Sequence, residues 1–325
     1  MKSALSLLLL VVGLAGAAPA PLSQLGRVPL GGREYVRLPD WARLNDLQLA
    51  WLSQQELRLT NRATRLGFTI NSQRVTVNGV NVFLSAPIGL QNGTPCVAAL
   101  DLQATLQPLL WPARRAGARF SHICLDAGHG GRDTGNREGG RLEKDYTLAM
   151  ARELATQLRK AGYKVFLTRS WDTYVELDER AEVARQRGAQ LFISLHFNAA
   201  PSSEARGAEV YCLTPAHTAS TNARGEGADT GTLPGNLQND ANLQLAYQLQ
   251  RALVSRLDME DRGVRRARWA VLRPAHVPAV LVEGGFMSNP AEMKKIASSA
   301  WRRQLAEALV AGVKNYERLT GPGGD

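Results

Sequence analysis

The stretch ICLDAGHGGRDTGNREGGRLEKD, residues 123–145, decides how the chain is read. Its head, Ile123, Cys124 and Leu125, is a short apolar run of the kind that forms a buried strand. Asp126-Ala127-Gly128-His129-Gly130-Gly131 follows, and a histidine set among glycines just past a strand lies on backbone that turns sharply and stays open to a ligand. Fourteen positions on, Glu143 opens a helical pattern. One histidine and one carboxylate at the mouth of a strand–loop–helix unit are half of a possible zinc site.

Downstream, strand and helix patterns alternate. The strand at 122–125 leads to a helix at 142–160 that carries Tyr146, Met150, Leu154 and Leu158 on one stripe. A strand at 164–168, a helix at 176–187 stopped by Gly188, and strands at 191–195 and 209–213 come next. A helix at 237–256, short strands at 270–272 and 279–282, and helices starting at Pro290 and Ala300 complete the series. This alternation predicts an α/β domain over 119–319, with a twisted, mainly parallel sheet flanked by helices. Residues 214–235 are rich in glycine and lack periodicity, and they read as a long loop facing the substrate. The tail 320–325 reads as disordered.

Two further strand ends carry chemistry. His196 follows the strand 191–195 in SLHFNA, and Glu283 follows the strand 279–282 in VEGGFMSN. Ligands of open parallel sheets collect beyond the carboxyl ends of the strands. His129, Glu143 and His196 with one open position make a catalytic zinc set, and Glu283 beside them is placed as general base. Singly, each has a plainer reading: a turn residue for His129, a hydrogen-bonded polar residue for His196, a helix-dipole partner for Glu143. Their convergence on one sheet edge carries the case. Asp126 is either an orienting partner of a ligand or a turn carboxylate, and Asn198 either a substrate contact or a strand-end cap. Arg180 and His276 read as structural, His122 begins a strand and so lies at its wrong end for the site, and His217 is a lesser candidate for substrate contact. Gly130 and Gly131 are expected to keep the backbone low where substrate approaches.

Upstream, residues 33–112 have the texture of a small α+β module. Alternating runs at 74–77 and 80–84 flank Asn78-Gly79, a strong hairpin signal. Residues 21–32 and 111–118 read as linkers. Lys2, the apolar run from Ala4 and the small residues that follow read as a secretory signal peptide over 1–18, with Ala17 the preferred cleavage position. The run is shorter than the ~20 residues of a membrane span, and no cysteine ends it to carry a lipid anchor. Cys96, Cys124 and Cys212 are odd in number and lie in apolar runs, so they read as buried structural thiols. The formal net charge of +10 is spread along the chain with no nucleic-acid motif, which excludes nucleic acid as the expected partner and suits an anionic wall surface.

The blocks LDAGHGGRDTG, LEKDYTLAMARELATQL, VFLTR, LDERAEVAR, LFISLHFNA, GAEVY and PAVLVEGGFMSN resemble, in order, those of the zinc-dependent N-acetylmuramoyl-L-alanine amidases over about 120–318. The resemblance implies Zn2+ on His129, Glu143 and His196, Glu283 as the catalytic carboxylate, and hydrolysis of the amide between N-acetylmuramic acid and L-alanine in peptidoglycan. Ala127 stands where the family usually has proline, and Gly284 where it often has threonine or valine; neither is a ligand position. Residues 33–112 resemble the module named from the amino terminus of copper amine oxidases, through LRLTN, TVNGVNVFL and APIGLQNGTPCVAALDL. Export implies a periplasmic, extracellular or wall location. The alternatives are a wall-binding protein with an inert amidase domain and a zinc peptidase cutting within the stem peptide. Oligomeric state is left open.

Overall fold

The computed structural model describes residues 19–114, 119–221 and 231–321. The signal peptide read over 1–18 and the tail after Gly321 lie outside them.

The N-terminal part begins with β1 (Arg27–Leu30) and β2 (Arg33–Arg37), joined across Gly31-Gly32, both at positive φ. The reading of 21–32 as a linker is corrected here: the two glycines are a hairpin turn, and β1 pairs along its whole length with β2. Helix α1 (Leu38–Leu44) leads into an antiparallel meander, β3 (Gln48–Trp51), β4 (Glu56–Thr60), β5 (Arg65–Thr69), β6 (Arg74–Val77) and β7 (Val80–Phe83). Asn78 and Gly79 close its last hairpin at φ 47° and 84°. Strands β8 (Gly89–Gln91) and β9 (Thr94–Ala98) join β1 and β2 in a four-stranded sheet. Helices α2 (Ala99–Asp101) and α3 (Gln107–Leu110) flank a π-helical middle, Leu102–Leu106.

The second part supplies β10 (His122–Ala127), the small hairpin β11 (Arg137–Glu138) and β12 (Arg141–Leu142), helix α4 (Glu143–Lys160) and β13 (Lys164–Leu167). Helix α5 (Leu177–Gln186), β14 (Leu191–Asn198), β15 (Ala208–Leu213), helix α6 (Asn239–Arg256) and β16 (Asp261–Ala267) follow. Strand β17 (Ala279–Phe286) and helices α7 (Pro290–Ala297) and α8 (Ser299–Thr320) end the fold. Strands β13, β10, β14 and β17 are parallel neighbours, β15 runs antiparallel to β17, and β16 is parallel to β15. The runs in β14 and β17 are apolar on both faces because helices cover both sides of the sheet. Helices α4, α6 and α8 pack together on one face; α5 and the turn Ala270–Leu272 cover the other.

Two expectations change. Residues 270–272 form a 3-10 turn, not a strand, with Val271 and Leu272 buried against Ala275 and Ala279. The strand that the sequence reading missed is β16, DRGVRRA, whose four charged side chains and glycine hide its alternation. Through it the N-terminal meander joins the main sheet: Val264 of β16 pairs with Val82 of β7, giving one eleven-stranded sheet. Asp261 fastens the joint, accepting from the Asn81 amide at 2.7 Å, while Asn81 Nδ2 donates to the Asp261 carbonyl at 2.8 Å. No described helix is long and apolar enough to cross a membrane. Cys96, Cys124 and Cys212 are free and buried, as read.

Candidate metal centre

Side chains alternate along a strand, so partners on neighbouring strands form rows across a sheet. One row on the α5 face runs Gly128, His196, Glu283, Glu209, Gly263. His196 and Glu283 are register partners on β14 and β17, and both lie inside their strands rather than after them. Gly128 makes room for the imidazole: a Cβ there would stand 2.3 Å from His196 Cε1. His129 lies just past β10 with φ +60°, and Glu143 is the first residue of α4, reaching the same edge.

The structure brings His129, Glu143 and His196 together, with one ligand atom from each within 4.8 Å of the others. Glu143 is the hub. Its Oε1 stands 2.9 Å from His196 Nδ1 and accepts from the Phe197 amide at 3.1 Å. Its Oε2 lies 3.1 Å from His129 Nε2 and accepts from the backbone and side-chain nitrogens of Asn136, each at 2.9 Å. Burial pushes the Glu143 carboxyl up, but the hydrogen bonds and charges of the two histidines outweigh it and hold it below the usual carboxylate range. Burial lowers the His129 imidazole, and Glu143 with Asp133 more than restores it, so it is raised. Asp133 Oδ2 sits 2.9 Å from His129 Nδ1, which fixes the ring and leaves Nε2 for a ligand.

Glu283 stands next in the row, 9% exposed, and its Oε2 has no hydrogen-bond partner. Burial first, then the charges of Glu143 and Glu209, raise its carboxyl well above the ordinary range. Such a group is poised to take and release a proton.

A second polar row supports the first. Asp126 is fully buried and accepts from Thr168 Oγ1 at 2.7 Å, Ser194 Oγ at 2.7 Å and Arg180 Nη1 at 2.8 Å. Both readings of Asp126 give way to this one: it touches no ligand and is the buried counter-ion of Arg180. Arg180 also donates to the carbonyls of Ala127 and His129, each at 2.9 Å. Arg169 donates to the Ala127 and Gly128 carbonyls at 2.9 Å and to that of Lys144 at 2.8 Å. Two buried arginines thus fix the backbone that carries His129. Arg169, Asn136 and Asp133 escaped the sequence reading; only the Asp133 spacing, four after His129, offered a signal.

Several expectations are corrected by position. Gly130 and Gly131 serve packing against the loop after β13: an added Cβ would meet the Thr173 carbonyl at 2.2 Å and the Tyr174 amide at 2.6 Å, respectively. Asn198 ends β14 and caps it, its Oδ1 accepting from the Ala199 amide at 2.8 Å, which is one of its two expected roles; its Nδ2 also donates to Glu209 Oε1 at 2.8 Å. The loop after β15 does not start at the site. Because β15 is antiparallel to β17, Leu213 lies about 13 Å along the strand from Glu209. The described ends of 214–235 bind there, Thr221 through the Arg266 carbonyl and Gly235 through that of Arg273. His217 belongs to the same far edge; residues 222–230 are outside the described ones. His122 opens β10 beside Ser121, and His276 lines a small apolar cavity with Phe192.

Residues 123–315 match the N-acetylmuramoyl-L-alanine amidase family, Amidase_3. The amidase AmiC of Neisseria meningitidis is 37% identical over 227 residues, which cover 63% of this chain and 55% of that protein. The amidase AmiA of Escherichia coli is 32% identical over 228 residues, 63% of this chain and 78% of that one. The chain therefore spans about half the length of the first relative and more of the second. Among solved structures, an N-acetylmuramoyl-L-alanine amidase from Clostridium difficile superposes with TM-score 0.52 at 32% identity, covering 61% of this chain and 97% of that one. AmiC2 of Nostoc punctiforme gives 0.51 at 31% identity, covering 62% and 98%. The large sheet with helices on both faces is the architecture of these amidases. With the family match spanning His129 to Glu283 and running through every element of the second part, the chain belongs to the N-acetylmuramoyl-L-alanine amidase family.

Proposed function

We propose that this protein is an exported zinc hydrolase that cleaves the amide between N-acetylmuramic acid and the first L-alanine of peptidoglycan. One observation carries the reading: Glu143 lies between two histidines at a sheet edge, and the buried Glu283 carboxyl, whose Oε2 has no hydrogen-bond partner, stands beside them on the next strand. Two imidazoles and a carboxylate are the donor set of catalytic zinc, and the carboxylate contact of His129 Nδ1 is the usual outer support of such a ligand. His129, Glu143 and His196 would hold the ion. When bound, zinc supplies a Lewis acid for the scissile carbonyl and brings the pKa of water near 7.

The remaining work falls to the protein. Glu283 takes the proton of the attacking water and hands it to the leaving alanine nitrogen, because an unprotonated amine leaves poorly. Burial raises that carboxyl, so it takes the proton more readily than a solvated glutamate and holds it until the nitrogen accepts it. Arg169 and Arg180 keep the 127–129 backbone in place while His129 holds its strained φ. Export rests on the signal-peptide reading of 1–18, and the resemblance of 33–112 to the copper amine oxidase N-terminal module is part of the same proposal.

The test is the product. Purified protein should carry about one zinc per chain and release stem peptides with a free L-alanine amino terminus from sacculi, read by mass spectrometry. Glu283→Ala should keep the zinc and lose the release. Cleavage within the stem, or sacculus binding without any released peptide, would overturn the proposal.

A further inference from the structure

Directly across from Glu283 stands a second carboxylate. Glu209 is its register partner on β15, and opposed residues of an antiparallel pair hold their Cβ atoms about 4.5–5.5 Å apart. Two carboxyls at that spacing tend to share one proton, which ties each to the other. Here one of them is fully occupied. Glu209 Oε1 accepts from Asn198 Nδ2 at 2.8 Å and from the Tyr211 hydroxyl at 3.0 Å. Its Oε2 is held by Arg262 Nε at 3.2 Å and by Arg265 Nε at 2.9 Å. The side chain is 2% exposed, so three hydrogen-bond donors and the Arg265 ion pair stand in place of water, while the Arg265 Nε–H itself donates to the Arg262 carbonyl at 3.1 Å. Glu283 Oε2 has none.

Both arginines are themselves braced. Arg262 lies over the Phe286 ring, 4.7 Å from its centroid, and Arg265 lies over the Phe83 ring at 4.1 Å. Phe286 ends β17, the strand of Glu283. Phe83 ends β7, in the N-terminal meander, where β7 pairs with β16. An arginine stacked on an aromatic face is held flat and in register.

We propose that Arg262 and Arg265, the latter steadied by Phe83, clamp Glu209 so that it cannot pair with Glu283, and that the N-terminal meander thereby positions the catalytic carboxyl. These are positioning residues: none touches the water or the scissile amide. The proposal rests on Glu283 being the general base.

The test compares Arg265→Met, Arg265→Lys and Phe83→Ala in the full chain loaded with zinc. Arg265→Met should lower kcat about tenfold or more, with KM and zinc content unchanged. Arg265→Lys restores the charge and should recover most of that loss; Phe83→Ala should lower kcat by a smaller factor. A crystal structure of Arg265→Met should bring a Glu209 oxygen to about 2.5–2.7 Å from a Glu283 oxygen, the spacing of a shared proton. Tyr247→Phe is the control for docking alone, since Tyr247 donates to the Val77 carbonyl at 2.9 Å. It should lose thermal stability and keep kcat. Unchanged kcat in Arg265→Met, or losses in all four variants that simply follow stability, would overturn the clamp. Should the unmodified protein release no peptide, the functional reading falls, and the Glu209–Glu283 spacing in Arg265→Met still decides the clamp.

Discussion

Burial and two neighbouring carboxylates raise Glu283, and the same surroundings burden the fold. An unfolded glutamate titrates near ~4.3, and a folded value above that means that stability falls as pH rises from there through the folded value. At neutral pH the metal-free protein therefore carries a penalty that an amide side chain would not. Glu283→Gln is expected to raise the melting temperature of metal-free protein at pH 7 and to give no gain at pH 4. Peptide release should fall at least ~10²-fold, the usual worth of a general base. A lower melting temperature at pH 7 would count against the assignment. Gly128 has the opposite character, since its importance is steric. A Cβ 2.3 Å from His196 Cε1 displaces the ring, so Gly128→Ala should weaken zinc about 10–100-fold in a competing-chelator titration. The four site residues were legible because each ends or begins an apolar run, and chemistry at strand ends stands out. Asn136 and Arg169 were not: what they do is bond to backbone carbonyls and to a carboxylate brought near by the fold, and no spacing rule encodes that.

At the scale of elements, polarity patterns decide what can be read. Strands β14 and β17 were plain as runs of buried apolar residues, although their ends were set short because His196 and Glu283 look like terminators. Strand β16 was hidden since its arginines stack and pair across the sheet rather than facing water. Helix α5 shows what a buried charge does for such an assembly. Arg180, 1% exposed, ties it to β10 through Asp126. Burial raises the Asp126 carboxyl, and Arg180, Ser194 and Thr168 outweigh it, leaving it lowered. A lowered carboxyl contributes stability above its unfolded pKa of ~3.9 and loses it as pH falls through the folded value. Arg180→Met leaves that carboxylate buried without its counter-ion and should cost about 3–5 kcal/mol by urea unfolding at pH 7. The difference from the unmodified chain should shrink below pH ~4. An equal cost at pH 3 and pH 7 would mean that lost packing, not the ion pair, is what was removed.

For the molecule as a whole, the question is what the N-terminal part does for the amidase part. The sequence marked two modules and a linker, and nothing in the pattern announced a shared sheet. The joint depends on β16, the strand that was not read, and on long-range contacts. Tyr247 donates to the Val77 carbonyl at 2.9 Å, Arg266 Nη2 to the Ala104 carbonyl at 2.7 Å, and Gln244 to the Pro108 carbonyl. One buried core runs from Leu25 to Tyr316. The family match covers residues 123–315, so the meander lies outside the matched amidase part. In this chain, however, its removal uncovers the edge of β16 and the α6 surface that Tyr247 and Gln244 occupy. An uncovered edge is a template for pairing with another copy. A chain beginning at Arg119 should therefore unfold at lower urea, with a smaller m-value because less surface is exposed on unfolding. It should also associate as concentration rises, as followed by sedimentation. A monomeric truncated chain with an unchanged urea midpoint would show instead that the shared sheet is mere contact, and that the two parts fold independently.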